Sequence, residues 1–496
     1  MRLLYQIFFI SFVCVLSGLM ISCQTKSKKP QEFTLLLRMM PAQQRFFEKE
    51  ILEKFNKENN CKVSIAVFNN QQDIERFLKL DAEKKQPEIG LVKTPFEVTR
   101  ALVYKGFMKP LTEVEDSMVV MQDLAEYHQL ATALGFVDGL PYYIPRKLET
   151  RILFYRKSMV KDAVDKFEKY KKQINDDLKK QNKYGLPKDY VLESDPSQWD
   201  FYDLFVCGYI WSRESYNGVK MPRIAHRGAR YEGTALDLVD RALQLGASHS
   251  DILTLQDKIS ETFLWEKVFI DNNLYNPGMW QDPWRGADLY NGIKDGKVFC
   301  TYLQQIDCFN VHGWEDDPGM PTYLPDIKDM GLCVVPKAVA FEINKNGLPV
   351  YEGSRSISTG GWWWGIPKTC PNPKLAYKLA RFITNRQNHA LECSKFGMIP
   401  VRKDILLNLP ETFDLDWVGE IFKTSVEQVK TNQLTTVPLV KAYSQVAQNL
   451  IEAWYKLCVE SDKKTNITLN TQTMKSLLQK DFLQKQKDVL GEEYPK

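Results

Sequence analysis

The sequence predicts an α/β fold, with a parallel or mixed sheet covered by helices on both faces. Three observations carry this. From residue 33 to residue 104, short apolar strand-like runs alternate with amphipathic runs of helical period. The connections between them are short, which is the pattern of βα units. The chain has 496 residues, 44% hydrophobic and 26% charged, so it can bury a sizeable core and is not a disordered chain.

The elements follow in order. Residues 33–37 read as a buried strand and 44–56 as a helix, with Phe46, Phe47, Ile51, Leu52 and Phe55 at its apolar positions. Residues 62–68 alternate as a second strand, 73–80 form a helix and 88–92 a third strand. Residues 95–104 make another helix, closed by Gly106. A helical stretch covers 116–134, a turn and short strand 139–144, and one extended strand 146–155. The charge-dense stretch 161–182 reads as a solvated helix or insertion with no strong core face. Helices are expected at 203–211, 235–245 and 251–270, and short strands at 331–336 and 361–367. An amphipathic helix at 372–384 turns Leu375, Leu379 and Phe382 inward, and 413–429, 435–459 and 471–487 make a helical C-terminal part.

Residues 3–22 form an apolar run preceded by Arg2 and ended by Cys23, after which residues 24–30 turn polar and basic. This describes an export signal. Met20-Ile21-Ser22-Cys23 resembles a bacterial lipobox with Met where Leu is usual. Residues 1–22 would then be a lipoprotein signal peptide, Cys23 the lipidated residue, and 23–30 a tether. This reading is favoured over a plain signal peptide or a retained anchor. The expected location is periplasmic, lipid-anchored to a bacterial membrane, with the acyl chains supplying the membrane affinity.

Composition excludes several classes. A mean hydropathy of −0.36 and a single long apolar run argue against a polytopic membrane protein. A net charge of +4 is far from a nucleic-acid-binding excess. Five scattered His argue against a His-based metal enzyme, and no cofactor or metal is called for. With Cys14 in the signal and Cys23 lipidated, eight cysteines remain, thinly spread and without a CxxC pair. They read mainly as small buried hydrophobes, with Cys370 and Cys393 the first pair to consider for a disulfide.

Four local patterns occur in order. Residues 102–112 are an apolar helix end, then Gly106, then an extended Pro110-Leu111. Gly139-Leu-Pro-Tyr-Tyr-Ile-Pro145 runs into Thr150-Arg-Ile-Leu-Phe-Tyr155 and Arg156-Lys157. Ile293-Lys-Asp-Gly-Lys-Val-Phe299 runs into Thr301-Tyr302. Thr359-Gly-Gly-Trp-Trp-Trp-Gly-Ile-Pro367 leads into the helix after Pro373, then Gly397-Met-Ile-Pro400. This series, across about residues 33–410, resembles the extracellular solute-binding proteins of ABC importers, of the maltose/oligosaccharide type. The chain departs from that pattern at Tyr155-Arg156-Lys157, where Tyr-Asn-Lys is usual, and at Val298-Phe299-Cys300, where Ala-Ala-Met is usual.

The resemblance implies a two-lobe periplasmic-binding-protein fold of type II, each lobe a mixed sheet flanked by helices, with the ligand in the cleft between lobes. By analogy one lobe takes 31–145 plus 337–397, and the other 146–336 plus 398–496. It also implies a monomer that captures a small carbohydrate-like solute and delivers it to ABC permease subunits, without chemistry and without nucleic acid.

A sugar offers apolar C–H faces and a polar rim, so its site needs aromatic platforms with donors and acceptors at their edges. In Gly360-Gly361-Trp362-Trp363-Trp364, strand alternation puts Trp362 and Trp364 on one face, facing core or cleft, and Trp363 on the other. Trp280 and Trp284 flank an Asp in a Pro/Gly-punctuated loop that serves either binding or packing. Trp314 follows Gln304, where the resemblance turns a strand toward the cleft. Tyr142 and Tyr143 lie near the first crossover. Glu149 and Arg151 share a face there, as an ion pair bracing the hinge or as ligand contacts. Arg38, with Met39 and Met40, sits at the carboxyl end of the first strand, where α/β folds place ligands.

Two other classes compete. An exported glycosidase would need an opposed carboxylate pair, and no motif singles one out; GxSxG and HExxH are absent. A sensory or adhesive lipoprotein could use the same fold.

Overall fold

The computed structural model describes residues 30–495, apart from 70, 86–87, 315–319, 407–412, 414, 432–434 and 462–469. The signal segment 1–22 and Cys23 lie outside the described residues.

Two sheets organise the chain. The first uses β1 (Gln31–Leu37), β2 (Cys61–Val67), β3 (Ile89–Pro95), β4 (Tyr143–Glu149) and, much later, β8 (Gly360–Gly365). Its order is β2-β1-β3-β8-β4. β1 runs parallel to β2 and β3, whereas β8 is antiparallel to β3 and β4. The helical run Pro41–Phe46, Phe47–Leu52 and Glu53–Asn59 links β1 to β2, and its Phe47, Ile51 and Phe55 are fully buried. Helix α1 (Gln71–Ala82) leads from β2 toward β3, and α2 (Phe96–Tyr104) starts directly at the end of β3. The mixed sheet expected from the alternating pattern is therefore present.

The second sheet is smaller: β5 (Arg151–Arg156) lies between β6 (Cys300–Gln304) and β7 (Met330–Cys333), with antiparallel pairings throughout. Around it pack α3 (Lys157–Asn182), α4 (Glu232–Gln244), α5 (Asp257–Asp271), α6 (Gln305–His312) and the late helices α9 (Asp416–Thr431) and α10 (Tyr443–Trp454). Helix α3 corrects one expectation. Val160, Ala163, Phe167, Tyr170, Ile174 and Leu178 recur at three- and four-residue intervals and are all buried, so the helix has a continuous core stripe beneath its lysines.

The chain passes between the sheets at places the sequence misjudged. The run expected as one strand is two: β4 pairs with β8 as far as Glu149, Thr150 is the break, and β5 joins the other sheet from Arg151. The first passage therefore falls at Thr150, not between 145 and 146. Residues 337–359 stay with the second lobe: the Trp265 indole N–H donates to the Val339 carbonyl (2.9 Å) and the Tyr202 hydroxyl to the Phe341 carbonyl (2.7 Å). The return to the first lobe comes at β8. Residues 399–403 also remain in the first lobe, where Ile399 bridges Leu148 and Arg402 pairs with Glu126 at 2.6 Å. Hydrophobic period does not reveal which sheet an extended segment joins, and this caused the offset.

One face of the first sheet packs Leu35, Leu37, Leu91, Ile144 and Trp364 under the early helical run and α7 (Pro373–Ile383). The other face contributes Leu36, Phe68, Val92 and Trp363 to an apolar cluster that continues into the second lobe. The eight cysteines of the described residues are free and buried, Cys370 and Cys393 included, so the disulfide considered for that pair is not formed.

Candidate functional site

The ends of β1, β3, β8 and β4 converge where the chain passes between lobes. A bulge shapes this edge: Trp362 opposes Lys147, but Trp363 opposes Pro145. Gly361 sits at the bulge with φ +152°, and a Cβ there would collide with the Lys147 carbonyl. The bulge overturns simple alternation. Trp362 and Trp363 pack with the same apolar cluster, and only Trp364 turns to the other.

Trp362 is half-buried, stacked near Phe68 (centroids 6.2 Å apart). The Lys93 ammonium lies 4.4 Å from the centre of its ring and donates to the Arg38 carbonyl at 2.6 Å. Burial, then the nearby Lys147 and Arg146, holds the Lys93 pKa well below the usual lysine value. Lys147 pairs with Glu149 at 2.5 Å. The Arg38 side chain is exposed at the rim.

Toward the hinge, Glu97, Glu149, Arg151, Gln304, Gly360 and Gly361 line one small cavity. Glu97 begins the first turn of α2. Desolvation, then the like charges of Glu149 and Glu232, pushes its carboxyl up to about 7, against the pull of its own backbone N–H. Gln304 is half-buried and stands at the start of α6, where its backbone N–H donates to the Asp307 carboxylate at 3.2 Å.

Farther along α2 the cleft widens to a cavity of about 400 Å³. One wall is Glu75 and Lys105 of the first lobe, paired at 2.6 Å. The opposite wall is Arg230, Tyr231, Glu232 and Arg285, with Gln448 of α10. The Arg285 guanidinium lies 5.2 Å from the Tyr231 ring centre. From Glu97 to Lys105 the cleft follows α2 for about 12 Å at helical rise. Both walls are polar, with Tyr231 as an aromatic surface. The volume falls within the ordinary range of small-molecule sites.

Of the residues singled out from sequence, Gln304 and Arg151 line the small cavity at the hinge end, while Trp362 and the Arg38 carbonyl meet at Lys93. Arg151 nonetheless serves the fold. It is 4% exposed, ion-paired with Asp240 and bonded to the Ser358 hydroxyl at 2.7 Å, so its donors face protein groups. Its expected partner Glu149 is engaged by Lys147 instead. Trp364 is a correction: it is fully buried against Phe47 within the core of the first lobe, and its indole N–H has no partner among the described residues. Trp284 is another: it fills the space left by Gly278 and Gly292, and its carbonyl accepts from Gly228 and Ala229, at 3.0 Å each. It thus braces the loop that carries Arg230 to Glu232 from behind. Tyr143 is a third: its hydroxyl donates to the Thr99 carbonyl at 2.8 Å. It stands at the start of β4, about 20 Å along the strand from Glu149.

Tyr142 is half-buried beside it and outside the cleft lining. Trp280 is half-buried, edge-on to Trp454 at 6.3 Å. Trp314 lies between Phe309 and Trp417 of the second lobe and Phe396 of the first, 5.6 Å from the last. It is an aromatic contact between lobes. Sequence reasoning missed Lys93, Lys147, Glu97 and the 230–232 loop. A lysine directly after the apolar Ile89-Gly-Leu-Val92 was the available signal for Lys93, since lysine is rarely buried without purpose.

Two lobes, passages between them and a polar cleft walled by both define a two-lobe binding protein. The family of bacterial extracellular solute-binding proteins matches residues 50–417, and the chain belongs to it. No curated protein matches the sequence. Solved structures share the fold. The maltose-bound MalE3 of T. maritima has 16% identity and a TM-score of 0.63, covering 92% of this chain and 100% of its own. The GacH receptor of Streptomyces glaucescens, solved unliganded and with acarbose, has 13% identity and a TM-score of 0.66, covering 94% and 100%. The maltose-binding periplasmic protein MalE of Listeria monocytogenes, with maltose, has 16% identity and a TM-score of 0.59, covering 95% and 100%.

Proposed function

We propose that this protein captures a sugar or oligosaccharide by closing its cleft and delivers it to the permease of an ABC importer. The observation that carries the reading is the cavity of about 400 Å³ between lobes, with side chains from both lobes in its walls. A ligand held there touches Glu75 and Lys105 on one side and Tyr231 and Gln448 on the other, so binding favours the closed arrangement. Carboxylate, ammonium and amide groups supply the donors and acceptors that hydroxyl-rich ligands require. Tyr231, and Trp362 toward the hinge, supply flat faces for ring C–H groups. The family assignment and the maltose and acarbose ligands of fold relatives point the same way. In this reading Cys23 carries the lipid that tethers a monomer outside the cytoplasmic membrane, and residues 24–30 are the spacer.

Titration calorimetry of the purified protein against maltose, maltotriose and other oligosaccharides tests the reading. A heat of binding with compaction in solution scattering is expected. A full carbohydrate panel that neither binds nor raises the melting temperature removes it.

A further inference from the structure

We propose that the captured carbohydrate carries an anionic substituent, read by the Lys93 ammonium beneath Trp362. The proposal rests on the sugar-capture reading and narrows it to acidic sugars.

Lys93 is 3% exposed and lies two residues before the end of β3, a strand whose seven residues are all buried. An ammonium offers three donors. Here one goes to the Arg38 carbonyl and the Trp362 ring faces the charge; among the described residues Lys93 enters no ion pair. The charges around it are Lys147, Arg146, Glu149 and Glu392. Both carboxylates are already engaged, Glu149 by Lys147 at 2.5 Å and Glu392 by Arg146 at 2.6 Å. Two cations and two anions cancel, which leaves the protonated form of Lys93 without a counter-charge. Arg38 adds a further cation at the exposed rim.

A buried charge without a counter-charge is costly. A ligand anion supplies the missing partner. The position suits this role. The Arg38 carbonyl and the Trp362 ring contact Lys93; Arg38 is exposed and Trp362 half-buried, so the ammonium lies one layer beneath the protein surface near the hinge end of β3. Gly360 beside them faces open space. A sugar ring against Trp362 would bring a carboxylate or sulfate within reach of Lys93 and of the Arg38 guanidinium, which binds such groups in a fork.

The test compares three ligand sets by calorimetry on the same protein: neutral disaccharides, the corresponding uronate-terminated disaccharides, and 6-O-sulfated ones. One anionic set should bind about tenfold or more tighter than its neutral counterpart, with a preference that shrinks at high salt. The set that gains identifies carboxylate or sulfate as the group. Lys93→Met should abolish the preference while holding or raising the melting temperature. Lys93→Arg should keep the preference. Neutral sugars binding as tightly as anionic ones overturns the inference and leaves sugar capture standing. A preference that survives in Lys93→Met overturns the role of Lys93. A lower melting temperature in Lys93→Met with the preference intact marks a structural lysine. Failure of every sugar to bind removes both readings.

Discussion

Replacing Arg151 by Met should unfold the hinge before it touches ligand binding. Arg151 and Asp240 are 4% and 0% exposed, and the guanidinium holds both Asp240 and Ser358. Removing one partner of a buried pair costs about 3–5 kcal/mol, because the other charge stays buried. Asp240 would keep the Ser358 backbone N–H at 2.9 Å and the Ser358 hydroxyl at 2.7 Å, so the loss should fall near the lower end, about 3 kcal/mol. The pH dependence gives a second check. Burial already raises the Asp240 pKa against the pull of Arg151, and without Arg151 it rises further. A carboxyl whose folded pKa exceeds its unfolded one takes up a proton on folding. Its penalty is therefore full above the folded pKa and is relieved as pH falls toward the unfolded one, near 4. Urea unfolding followed by Trp fluorescence should show a larger deficit for Arg151→Met at pH 8 than at pH 5. Adding Asp240→Leu should recover most of it. A deficit under about 1 kcal/mol at pH 8, or one equal at both pH values, refutes the brace. So does a variant of normal stability with weakened ligand affinity, which would return Arg151 to the ligand.

The tryptophans of β8 should separate by role. Trp364→Ala should cost about 3–5 kcal/mol in chemical unfolding. Trp362→Ala should leave stability nearly intact while weakening sugar affinity by up to about tenfold in calorimetry. Glu97, with its carboxyl near 7, should make the ligand-free protein less stable as pH rises through that value. Glu97→Gln should flatten the melting temperature between pH 6 and pH 8, and an unchanged slope would count against that protonation. Gly361→Ala should lower the melting temperature, because φ +152° and the Lys147 carbonyl both oppose a Cβ; full stability would mean the bulge can slide. With eight free buried thiols, reductant should leave the melting temperature unchanged, and a drop would reveal a disulfide.

Much of this protein was legible in its sequence. Alternation between residues 33 and 104 announced the parallel part of the first sheet, because period and connection length are local properties. The four ordered patterns gave the two-lobe class, and the lone glycine pair before three tryptophans marked the strand that returns to the first sheet.

Other features depend on what lies across a sheet or a lobe boundary, and only the tertiary structure decided them. One extended run became two strands in two sheets because Thr150 falls where β4 loses β8 as a partner and β5 gains β6. Trp364 went to one apolar cluster and the half-buried Trp362 to the other, with Trp363, because one bulge resets alternation between Trp362 and Trp363. Arg151 was taken by Asp240, 89 positions away, and Glu149 by Lys147. Lys93 took its contacts from Arg38 beyond β1 and from Trp362 of β8, beside carboxylates already paired to others. Sequence sets which residues can form an element, since propensity and period act over a few residues. Which charges find partners, and which one is left without, is set by contacts between residues far apart in the chain.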